Sequence, residues 1–191
     1  MTINDAFEIL SRAVSDKLGE GKKVALAIDG FAASGKTTLA RMLSERFGAP
    51  VVHTDDFFLR PFQRTPERYA EPGGNIDYER FLSEVCPFLT SHGAFSYLRF
   101  DCGKMALGET VDIPANDVVI VEGTYACHER FGDVYDVRAM LTIDEKTQRR
   151  RILSRNGPDG LAAFEGKWIP LEKEYFSRCG IEKKCDFVFS V

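Results

Sequence analysis

Val24-Ala25-Leu26-Ala27-Ile28-Asp29-Gly30-Phe31-Ala32-Ala33-Ser34-Gly35-Lys36-Thr37-Thr38-Leu39 is the stretch from which the rest of the chain can be read. Its first five residues form a short apolar run, the signature of a strand buried on both faces of a parallel sheet. From Lys36 to Phe47 the apolar residues Leu39, Met42, Leu43 and Phe47 recur at helical spacing, and Gly48 stops the segment. Between strand and helix, Gly30 to Thr37 fits the pattern G-x-x-x-x-G-K-[ST]. The glycines let the backbone curl until successive N–H groups point inward at an anion. The helix that follows aims the positive end of its dipole at the same point. Gly30 through Thr38 are therefore the expected triphosphate cradle, with Lys36 a point charge for the terminal phosphates and Thr37 a hydroxyl for Mg²⁺.

Working outward, Val51-Val52-His53 reads as a second short strand, and Asp55 and Asp56 follow at its carboxyl end. Ligands of open α/β sheets gather outside the carboxyl ends of strands, so these carboxylates should face the phosphate loop. Asp55 is the candidate to accept a proton from an attacking hydroxyl and to lie beside the metal. Val118-Val119-Ile120-Val121 is the clearest buried strand; Glu122 ends it beside Gly123 and is a candidate to hold a water on Mg²⁺. Elsewhere the spacing predicts helices over 5–18 (N-cap Asn4), 78–90, 145–155 and 161–178. It predicts strands over 137–143 and 187–191 and a hairpin over 95–113. Pro87 should disturb the last turn of the 78–90 helix. Residues 59–74, rich in Pro, Gly and Arg, read as a long surface loop. Trp168, Tyr175 and Phe176 sit near Glu172 on the last long helix; bordering the pocket is one reading of them, and core packing, which their helical spacing suits, is the favoured one.

The chain has 191 residues, of which 44% are apolar, and 25 basic against 29 acidic side chains leave a net charge of −4. One domain spanning 1–191 is expected. The acidic balance speaks against nucleic acid and anionic membrane as partners. No apolar run is long enough to span a bilayer, and the first residues lack a signal-peptide core. Five cysteines with no C-x-x-C pair fit a reducing, cytoplasmic setting. A homo-oligomer is compatible with the sequence.

Taken together, IDGFAASGKTT, HTDDFF, GGNIDYERF, VVIVEGTYA and TQRRRILSRN resemble the uridine kinase and phosphoribulokinase family, which includes nicotinamide riboside kinase, from about residue 22 to 191. The resemblance implies a P-loop NTPase of nucleoside-kinase type. That means a three-layer α/β sandwich with a mainly parallel five-stranded sheet, a small hairpin insertion and a helical lid at about 145–160. It implies transfer of the γ-phosphoryl group of ATP, with Mg²⁺, to a small-molecule hydroxyl; GTP stays open as the donor. By position, Asp55 matches the catalytic base, Asp77 the carboxylate that grips sugar hydroxyls, and Glu122 the glutamate near Mg²⁺. Arg149, Arg150, Arg151 and Arg155 match the lid. Arg151 and Arg155, four apart on one helix face, fall to the transferring phosphoryl group, and Arg150 to the nucleotide. Two motifs depart from uridine kinases. The hairpin reads Phe100-Asp101-Cys102-Gly103-Lys104-Met105, keeping one aromatic as a substrate contact but lacking the second aromatic and the histidine. The lid lacks the R-G-R-D run and reads Asn156-Gly-Pro-Asp-Gly160. A nucleoside is the first expected acceptor, with nicotinamide riboside, pantothenate or a sugar phosphate as alternatives. A non-catalytic nucleotide-binding regulator is the reading from a different class.

Overall fold

A computed structural model describes all residues, Met1–Val191. In chain order the elements are α1 (Ile3–Gly19), β1 (Val24–Gly30), α2 (Lys36–Phe47), β2 (Val51–His53), α3 (Pro66–Ala70), α4 (Tyr78–Glu84), α5 (Cys86–Ser91), β3 (Phe95–Asp101), β4 (Ala106–Ile113), β5 (Val118–Glu122), β6 (Val137–Thr142), α6 (Glu145–Ala163), α7 (Ile169–Cys179), α8 (Ile181–Lys184) and β7 (Phe187–Ser190). Five strands make one parallel sheet in the order β2-β5-β1-β6-β7, and β3 and β4 form a separate antiparallel hairpin.

Every residue of β1 and β5 is buried, because helices cover both faces of the sheet. Alternation sorts their side chains between two cores. Val24, Leu26 and Ile28 pack beneath α1 and α2 with Leu10, Leu39 and Leu43. Ala25 and Ala27 face the opposite layer, where Phe57, Phe81 and Tyr175 lie. This is the expected three-layer sandwich. From central β1 the chain passes first to β2 at one edge and later to β6 and β7 at the other, which opens a crevice above the carboxyl ends of β1 and β5.

Three local readings need correction. The cap of α1 is Thr2 and not Asn4: Thr2 accepts from the Asp5 N–H, and the Asp5 carboxylate accepts from the Thr2 N–H. The helix expected over 78–90 is two helices. Pro87, in the first turn of α5, has no N–H for the preceding turn, and Val85 at the junction is stretched to φ −119° within the right-handed helical region. The 59–74 segment is ordered, with a 3₁₀ turn at Pro61–Gln63 and α3 within it. Its arginines hold it. Arg68 donates to the carbonyls of Gly74 and Ile76, pairs with Glu79 and lies 3.6 Å over the Tyr78 ring. Arg64 donates to the Leu59 carbonyl.

Candidate active site

The phosphate loop is shaped by what surrounds it. Gly30 has φ +145°, and a Cβ there would lie 2.3 Å from the Leu141 carbonyl oxygen of β6. Only glycine lets the loop leave β1 this close to the neighbouring strand. Gly35 (φ +104°) caps α2 with no side-chain partner for its amides, so the first turn of α2 presents free N–H groups to the crevice. Lys36 folds back along the loop, its Nζ donating to the carbonyls of Gly30 and Phe31 at 2.9 Å each.

The loop is also held from beneath and from above. Asp29, fully buried, accepts from the N–H groups of Gly30, Tyr125 and Cys127 and from the Tyr175 hydroxyl, all within 3.0 Å. Burial pushes this carboxyl up, and those donors oppose the shift. One side chain thus ties the start of the phosphate loop to the turn after β5 and to α7. Above, Gln148 of α6 donates to the Ala32 carbonyl at 3.2 Å and Arg151 to the Ala33 carbonyl at 3.0 Å. Glu172 of α7 accepts from the Ala32 N–H at 3.0 Å. Glu172 is 5% exposed, and its burial raises the carboxyl to about 7 against the pull of Lys36.

Across the crevice stand the carboxylates. The Thr37 hydroxyl donates to Glu122 at 3.2 Å, and His53 Nδ1 lies 2.6 Å from the same Glu122 oxygen. That hydrogen bond raises the histidine above its usual value, with desolvation opposing it. The two aspartates after β2 separate cleanly. Asp56 is 6% exposed and fully engaged, accepting from the Tyr97 hydroxyl at 2.8 Å and from Arg99 Nε at 2.9 Å. Asp55 opens to the crevice. Protein crowds it on its other sides, and the resulting desolvation raises its carboxyl, opposed by Lys36 and reinforced by Glu122. Lys36, Thr37, Asp55, Glu122, Arg151 and Arg155 all border one cavity of about 710 Å³, within the range of small-ligand sites.

A bound Mg²⁺ would suit Thr37 and Glu122: a hydroxyl and a carboxylate within hydrogen-bonding distance of each other, with phosphates and water completing the shell. No helix is long and apolar enough to cross a membrane. No protein-family model matches the chain, and no curated protein matches it. Among solved structures it is similar to that of a possible uridine kinase from Bacillus stearothermophilus, at 21% identity with a TM-score of 0.72, covering 99% of this chain and 100% of that one. It is also similar to YFH7 from Saccharomyces cerevisiae, described as a candidate P-loop containing kinase with a circular permutation. That match has 11% identity and a TM-score of 0.61, covering 100% of this chain and 99% of the other. The fold is that of the P-loop kinases.

Within this P-loop kinase fold, not every residue expected at the site reaches it. Arg150 is exposed and does not border the cavity, because it points off the helix face that carries Arg151 and Arg155. Asp77 is fully buried: it caps α4 through the Arg80 N–H and pairs with Arg60 at 3.2 Å, so the gripping role carried over from the resemblance finds no open carboxylate. Phe100 is 3% exposed and packs under Arg64, while its neighbour Cys102 borders the cavity. The break expected at Asn156–Gly160 is present, with Gly157 leaving helical geometry at φ +72° inside α6. Contributors that the sequence alone does not mark include Asp29, Asn75, Tyr125, Gln148 and Glu172. Asp29 and Glu172 lie at the end of a strand and inside a helix, where an acid is unremarkable without its three-dimensional neighbours. Trp168 does border the cavity, whereas Tyr175 and Phe176 are core.

Proposed function

We propose that this protein transfers the terminal phosphoryl group of ATP to a hydroxyl of a small molecule, in the manner of a uridine kinase, with a nucleoside the first acceptor to test. The observation that carries the reading is the convergence of Lys36, Thr37, Glu122 and Asp55 on one cavity at the mouth of the phosphate loop. Lys36 and the amides of the α2 N-terminus bind the phosphates and neutralise their charge. Thr37 and Glu122 hold Mg²⁺, which when bound draws charge from the phosphate oxygens. Asp55 accepts the proton of the attacking hydroxyl as it approaches the phosphorus. Its raised carboxyl brings it nearer the working pH, where a general base is most effective. Arg151 and Arg155 close over the transferring group from α6 and keep water out. Nicotinamide riboside, pantothenate and sugar phosphates are the next acceptors to try. A non-catalytic nucleotide sensor would bind ATP and release no ADP with any of them.

The test is ADP release over that panel, with phosphorylated product confirmed by mass, for the wild type and two variants. Lys36→Ala should lose ATP binding; normal turnover by this variant sinks the reading. Asp55→Asn should bind ATP normally and turn over about 10²–10⁴-fold more slowly. Unchanged turnover by Asp55→Asn removes the base assignment.

A further inference from the structure

Helix α1 precedes the stretch that resembles the kinase family, which begins at about residue 22. Its inner face is core: Ala6, Leu10 and Val14 are fully buried beneath the sheet. Its first turn differs. Ile3 is only partly buried, and it borders the same cavity as Ala33, Gly35 and Thr38. The side chain reaches the phosphate loop itself, since a Cβ added at Gly35 would lie 2.9 Å from Ile3 Cδ1. Partly exposed apolar surface at a ligand cavity gains from covering by an apolar group.

The position of α1 says which part of a nucleotide would cover it. Helix α2 packs against β1, β5 and β2, whereas α1 packs against α2 and β1. Its buried residues share a core with Ala139 and Leu141 of β6 and Phe189 of β7. Asp55 follows β2, at the opposite edge of the sheet. The phosphate loop therefore has Asp55 on one flank and Ile3 on the other. A triphosphate seated in the loop with its terminal group toward Asp55 leads its nucleoside the other way, past Thr38 toward Ile3. The turn is also poorly suited to a phosphate. Its capping box already uses the N–H groups of Thr2 and Asp5 and sets the Asp5 carboxylate there.

We propose that the first turn of α1 belongs to the donor site. Ile3 forms an apolar wall against which the nucleoside of ATP rests, while the phosphate loop holds the phosphates. The proposal rests on the kinase reading above and extends the site to a segment that precedes the phosphate-loop motif.

The experiment measures binding of two probes, Mg·ATP and Mg·tripolyphosphate, by wild type, Ile3→Ala and Ile3→Leu, together with ATP turnover. Tripolyphosphate fills the loop and has no nucleoside. Ile3→Ala should weaken ATP about three- to tenfold, the effect of removing three carbons from a partly covered contact, and leave tripolyphosphate within about twofold. In turnover the KM for ATP should rise by a similar factor with kcat unchanged, because a contact to a non-reacting part of the donor is equal in ground and transition states. Ile3→Leu keeps an apolar side chain of the same size and should stay within about twofold of wild type with both probes. Equal weakening of both probes in Ile3→Ala would mean that Ile3 only props Gly35, and it overturns the proposal. Unchanged ATP affinity in Ile3→Ala also overturns it and leaves the kinase reading intact. A loss in Ile3→Leu as large as in Ile3→Ala does the same, since apolar contact would not be what was removed. Failure of the kinase reading looks different: no ATP binding by the wild type, or no effect of Lys36→Ala.

Discussion

Glu172→Gln makes a stability prediction whose sign and size follow from the structure. The carboxyl ordinarily titrates at 4.5 and in the folded chain at about 7, because burial disfavours its charged form. That difference corresponds to about 3 kcal/mol favouring the protonated form in the folded state. Below pH 4.5 folded and unfolded chains both carry the proton, and the group has no effect. Between 4.5 and 7 the folded chain keeps a proton that the unfolded chain has released, so stability falls as pH rises through this window. Above 7 both states are ionised and the loss is complete. Glutamine resembles the protonated acid and does not titrate, so the variant escapes the loss. Urea denaturation of wild type and variant at pH 5 and pH 8 isolates the effect, since other titrating groups contribute to both. The advantage of the variant over wild type should be about 2–3 kcal/mol larger at pH 8 than at pH 5, a displacement of roughly 1 M in midpoint. Parallel pH profiles for the two proteins would refute the claim that this carboxyl is held desolvated against the phosphate loop.

The aspartate pair divides its labour, and stability measurements should show it. Asp56→Ala strands the buried Tyr97 hydroxyl and removes the ion pair to the exposed Arg99, and should cost about 2 kcal/mol, whereas Asp55→Asn should alter stability little while slowing turnover. Thermal melts that ranked the two variants the other way would reverse the assignment. Gly30→Ala places a Cβ 2.3 Å from the Leu141 carbonyl at φ +145° and should destabilise the fold by about 3 kcal/mol or more. A loss under about 1 kcal/mol would mean that β1 and β6 can part to admit a methyl group.

The order of strands and helices was readable because each rests on local pattern: apolar runs of four or five residues for buried strands, 3.6-residue spacing for helices, and glycines where the chain must turn tightly. The same holds for Gly30 to Thr38 and for Asp55 and Glu122, whose place at strand ends follows from the periodicity of the strands before them. Pro87 was visible as a disturbance, but how far the break would spread depended on α4 and α5 packing separately.

What only the tertiary structure decided was which polar side chains face the cavity and which are consumed as struts. Asp55 and Asp56 are adjacent and chemically identical, and the hairpin strand that supplies Tyr97 and Arg99 takes one and frees the other. Asp77 matches a substrate-gripping motif in sequence, yet Arg60 and the start of α4 occupy it. Glu172 stands 140 positions from the Ala32 amide that it holds. A carboxylate's role depends on the donors around it and on its access to water. Those are fixed by contacts between distant segments, and no local pattern encodes them.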